Sequence, residues 1–119
     1  MQAIGETAWV EDEALMDAVT GLSGSGPAYV FYMVEAMKNA GISAGLPEEL
    51  ALQLAKQTVA GAGELAVHAP DTIEQLRINV TSPNGTTAAG LSVLMAPDGL
   101  SPLMAKTVAA ACQRSKELG

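Results

Sequence analysis

Residues 81–87 read TSPNGTT, which places the hydroxyls of Thr81, Ser82, Thr86 and Thr87 within seven positions. No charged side chain occurs from residue 78 to residue 97, so the stretch offers hydrogen bonding rather than general acid–base chemistry. Pro83 restricts Ser82 to extended backbone, Asn84 and Gly85 tolerate positive φ, and the following residues start a helix. Free N–H groups at Gly85, Thr86 and Thr87 would then point off a helix N-terminus. Such donors, aided by the dipole, suit a small carboxylate and need no lysine. The competing expectation is an ordinary capped helix whose donors are satisfied within the chain.

Other candidates carry less chemistry. His68 is the only histidine and Cys112 the only cysteine, so neither a triad nor a metal site assembles from visible partners. His68 is expected near a helix C-terminus, against the last carbonyls, and Cys112 as a buried thiol on an apolar helix face. The thirteen Asp and Glu residues fall mostly in helix first turns and on polar faces. GLSGSG, residues 21–26, has the spacing G-x-x-G-x-G rather than G-x-G-x-x-G and lacks a surrounding βαβ unit. It is therefore not read as a dinucleotide cradle.

The elements that position these residues are helices. An extended-looking stretch at residues 7–10 precedes Glu11, Asp12 and Glu13, which suit the start of a helix over ALMDAVT that stops at Gly21. Ser25 is expected to cap a second helix that runs through Ala40 and ends at Gly41. A third should open at LPEEL, with Pro47 in its first turn and with Leu50, Leu54, Ala55, Val59, Ala62, Leu65 and Ala66 at helical spacing. Gly61 and Gly63 inside it cost about 1 kcal/mol each relative to Ala, which close approach of another backbone, a kink or an earlier helix end would explain. Asp71 and Glu74 stand in the capping-box relation ahead of a short helix ending near Val80. After the hydroxyl-rich loop come a helix over TAAGLSVLM and a last one started by Ser101 and Pro102, with Leu103, Thr107, Val108, Ala111 and Cys112 on one face. The fold class is all-α, with five to six helices.

A chain of 119 residues makes one domain, residues 1–119. Hydrophobic residues make up 49%, yet Trp9, Tyr29, Phe31 and Tyr32 are the only aromatics beside 12 glycines and 21 alanines. Small side chains stabilise little unless backbones come close, which points to tightly packed helices and an oligomer. A net charge of -7 with only six Lys and Arg argues against nucleic acid and an anionic membrane surface as partners. Gly, Ser, Asn, Thr and Pro interrupt the uncharged stretches, so neither a membrane span nor a signal peptide is read. One cysteine makes a reducing cytoplasm the expected compartment.

At LSGSGPAYVF and LRINVTSPNGTTAAGLSVL, separated by GLPEELALQLAKQTVAGAGELA, the sequence resembles the C-terminal domain of pyrroline-5-carboxylate reductase, the last enzyme of proline biosynthesis. The resemblance runs from about residue 4 to residue 118, and both motifs stand in family order. It implies an intertwined all-α dimerisation domain like the C-terminal domain of 6-phosphogluconate dehydrogenase, normally preceded by a Rossmann domain that binds NADPH or NADH. It implies that Ser82 and the N–H groups of Thr86 and Thr87 bind the carboxylate of pyrroline-5-carboxylate, and that Gly85 lets the chain approach the ligand. The resemblance further implies a catalytic role for Thr87, its hydroxyl facing the ring nitrogen, and a place near the nicotinamide for Asn79 and Val80. The implied partners are pyrroline-5-carboxylate, proline and further copies in a homodimer or higher homo-oligomer.

Two departures stand out. The family's Gly-Gly is Asn84-Gly85 here, and the dinucleotide-binding half is absent from the 119 residues. The chain alone is thus expected to bind no cofactor and to be catalytically silent. The alternatives are a free-standing helical oligomerisation module that has lost catalysis, and the helical domain of another dehydrogenase acting on an imine or hydroxy acid.

Overall fold

The computed structural model describes residues 12–119, and the extended stretch expected at residues 7–10 lies outside them. The described residues form six α-helices and one π-helical turn: α1 Glu13–Val19, the π turn Thr20–Gly24, α2 Gly26–Ser43, α3 Glu48–His68, α4 Ile73–Asn79, α5 Thr86–Leu94 and α6 Leu100–Leu118. The all-α expectation holds. Contacts divide the chain into two compact units, Met1–Tyr29 with Ser92–Gly119, and Val30–Leu91.

In the first unit the Asp12 carboxylate caps α1 by accepting from the Ala14 N–H at 2.8 Å. The helix does not stop at Gly21, as expected; it widens into the π turn, where Ser25 N–H reaches the Thr20 carbonyl at 2.9 Å. Gly21 is buried there because α6 comes too close for a side chain: a Cβ would sit 2.9 Å from the Val108 carbonyl oxygen. The Tyr29 hydroxyl donates to the Gly21 carbonyl at 2.7 Å, and the Ser115 hydroxyl donates to Asp17 at 2.7 Å, pinning α1 to α6. Ser25 has helical φ/ψ rather than the extended backbone of a cap, so α2 follows the π turn almost directly. On α6, Thr107, Val108, Ala111 and Cys112 are half-buried, but Leu103 is exposed.

In the second unit α2 runs two residues past the expected end at Gly41. The stop is a Schellman motif around Gly45 at φ 113°, with Leu46 N–H on the Gly41 carbonyl at 3.0 Å and Gly45 N–H on the Ile42 carbonyl at 2.9 Å. Gly41 instead gives room to α3, since a Cβ there would lie 3.3 Å from that of Ala51. Pro47 caps α3 rather than entering it. Gly61 and Gly63 do not end the helix, and among the described residues no neighbour lies within 4 Å of an added Cβ at either. Ala51 and Ala55 are the buried hydrophobic residues among those described.

The cap of α4 is Thr72, not Asp71: its hydroxyl accepts from the Gln75 N–H at 3.1 Å. The T-x-x-Q spacing of Thr72 and Gln75 competes with the D-x-x-E spacing one residue earlier, and prevails. The next helix, α5, begins at Thr86, one residue before the expected start.

Candidate functional site

The residues singled out at 79–87 sit on one connection, between the end of α4 and the start of α5. The end of α4 is tied down locally. Thr81 donates its hydroxyl to the Arg77 carbonyl at 2.6 Å and its N–H to the Ile78 carbonyl at 3.0 Å. Gln75 donates its side-chain amide to the Asn79 carboxamide oxygen at 2.7 Å. In the sequence Thr81 counts among the loop hydroxyls rather than as a tie to α4, and Gln75 is not singled out there. Their signals were present, in the i,i+4 spacing of Gln75 and Asn79 and in the habit of Thr hydroxyls to bond back to a carbonyl four residues earlier. Asn79 and Val80 are both exposed at this end, Val80 by 68%.

Ser82, Pro83, Asn84 and Gly85 then form a tight turn, closed by Gly85 N–H on the Ser82 carbonyl at 3.0 Å. Pro83 in second place and Asn84 at φ 61° in third are the arrangement of a type II turn. Asn84 is the one non-glycine residue with positive φ among those described. Two expectations for Gly85 are corrected. Its N–H is spent inside the turn, so it is not a free donor, and its φ is not positive, because Gly45 is the glycine that takes that conformation among the described residues. Position 85 is small for a local reason: a Cβ there would stand 3.2 Å from the Ser82 carbonyl oxygen and 3.4 Å from its Cβ.

Gly85 accepts the first helical bond, from Ala89 N–H at 3.1 Å. The N–H groups of Thr86 and Thr87 thus fall in the first turn of α5, where no preceding carbonyl of the helix reaches them. Ser82, Asn84, Thr86 and Thr87 are all exposed. The result is a surface with two backbone donors, the positive end of a helix dipole and three hydroxyls, in a segment without formal charge. It can orient a small anion and hydrogen-bond a neighbouring heteroatom, but it supplies no strong base.

The remaining candidates lie outside this connection. His68, expected against the last carbonyls of α3, instead places Nε2 3.3 Å from the Glu64 carboxylate, with both side chains exposed. Cys112 is half-buried on α6, where its backbone faces Gly21. The glycines at residues 21–26 are taken up by the π turn and the start of α2. Among the described residues no group of three His, Cys, Asp or Glu is placed to hold a metal ion. No described helix is long and apolar enough to cross a membrane.

Comparison with known proteins adds an independent line. The family model described as pyrroline-5-carboxylate reductase dimerisation matches residues 13–118. The chain is 47% identical over 110 residues to pyrroline-5-carboxylate reductase of Pisum sativum, covering 92% of this chain and 40% of that protein. To the enzyme of Pseudomonas aeruginosa it is 45% identical over 118 residues, covering 99% and 43%. Among solved structures, the pyrroline-5-carboxylate reductase of Coxiella burnetii superposes with a TM-score of 0.89 at 41% identity, covering 98% of this chain and 43% of that one. The pyrroline carboxylate reductase of Plasmodium falciparum, solved with NADP bound, gives 0.84 at 38% identity over 92% and 41%. The chain spans about two-fifths of the length of these relatives. With a helical fold of this order and a family model that matches almost every described residue, the chain belongs to the pyrroline-5-carboxylate reductase dimerisation family.

Proposed function

We propose that this chain is the helical part of a pyrroline-5-carboxylate reductase, supplying the self-association surface and the substrate grip for reduction of pyrroline-5-carboxylate to proline. The observation that carries the reading is the turn at residues 82–85, which delivers the exposed N–H groups of Thr86 and Thr87 to the open end of α5. In this reading those two N–H groups and the Ser82 hydroxyl hold the substrate carboxylate, and Gly85 keeps the turn narrow beneath it. The Thr87 hydroxyl hydrogen-bonds the ring nitrogen, which takes its proton from solvent, either directly or relayed through Thr87 as that hydroxyl is reprotonated by water. Orientation and hydrogen bonding are then the chain's whole contribution to the barrier.

Among the described residues the glycine-rich segment 21–26 is packed into helix and offers no cradle for a dinucleotide. The residues at 82–87 suit a small carboxylate substrate rather than a dinucleotide. The hydride of NADPH or NADH is therefore assigned to another part of the enzyme, with Asn79 and Val80 beside the nicotinamide. The partner is a second copy of the chain, in a homodimer or larger homo-oligomer. Exposed Phe31, Leu65 and Val67, each at least 58% accessible, supply apolar surface for it. The single cysteine suits a reducing cytoplasm, and the acidic charge suits an enzyme acting on a small metabolite without nucleic acid or an anionic membrane surface as partner.

The test is Thr87→Ala in the complete reductase. Leaving the ring nitrogen without its partner costs about 1–3 kcal/mol and predicts a fall in kcat/KM of about 5- to 150-fold. Wild-type turnover in that variant would remove Thr87 from the reaction.

A further inference from the structure

We draw no further inference here: the strongest candidate, the apolar groove between α3 and α4 lined by Leu65, Ala66, Ile73, Leu76 and Val80, carries nothing, because no feature of the structure shows what covers it and seating a second copy there restates the dimerisation of the family.

Discussion

A methyl group added at Gly21 would lie 2.9 Å from the Val108 carbonyl oxygen and 3.0 Å from the Cys112 nitrogen, backbone atoms that cannot rotate away. Gly21→Ala must therefore push α6 off the π turn. Overpacking of this kind costs about 1–3 kcal/mol, to be read as a lower urea midpoint with unchanged slope. Asn84 poses the opposite problem, a side chain in the left-handed region at φ 61°. Asn tolerates that backbone and a β-branched residue does not, at a cost of about 1–2 kcal/mol. Asn84→Val in the complete enzyme is expected to raise KM about 5- to 30-fold as the competent turn becomes less populated, while Asn84→Gly leaves it nearly unchanged. Equal KM values for the two variants would separate the turn from substrate binding. The conformation of Asn84 was legible in the sequence, since Pro-Asn-Gly admits few turns. The fate of the Gly85 N–H was not, because whether a turn closes on itself depends on ψ angles that composition does not report.

At the scale of elements, α4 has seven residues and leans on its cap. Thr72→Ala removes the hydroxyl that accepts from Gln75 N–H and should cost about 1 kcal/mol, whereas Asp71→Ala should stay within about 0.5 kcal/mol. Thermal melts of the two variants decide between the competing capping boxes, and a larger loss from Asp71→Ala would overturn the observed cap. Helix existence and type came through from the 3.6-residue spacing and from Pro and Gly punctuation. Helix ends did so less well, and Gly41 shows why: a glycine still in the helix and a glycine four residues on, at the positive-φ position of the Schellman motif, look alike in sequence. The neighbour that needs the missing side chain at Gly41 is Ala51 of α3, a contact between different helices.

At the scale of the whole molecule, the described chain buries only Ala51 and Ala55 among its hydrophobic residues, while Leu, Val, Ile, Phe and Met side chains remain exposed along every helix. With so few side chains fully buried and so many large apolar ones exposed, the described chain leaves much of its apolar surface uncovered. Folding is therefore expected to be coupled to self-association, so that Tm rises with protein concentration. A tenfold change corresponds to about 1.4 kcal/mol per dimer, or about 3–6 °C for a unit of this size. A Tm independent of concentration over a hundredfold range, with a monomeric mass in sedimentation, would contradict the proposed assembly.

The sequence by itself determined the helical class, the motif at residues 81–87 and the family resemblance, because these rest on local periodicity, turn chemistry and residue identity. It also carried the small-residue character of α3, where an added Cβ at Gly61 or Gly63 meets no described neighbour within 4 Å, so that their cost within the helix is not recovered there. Tertiary structure alone decided that Gly21 is a contact with α6 and not a helix stop. It likewise decided which side chain caps α4 and which amide of the loop is already spent. Each of those outcomes turns on distances between atoms remote in sequence or on the closure of a particular turn, and spacing along a chain does not encode a distance across a fold.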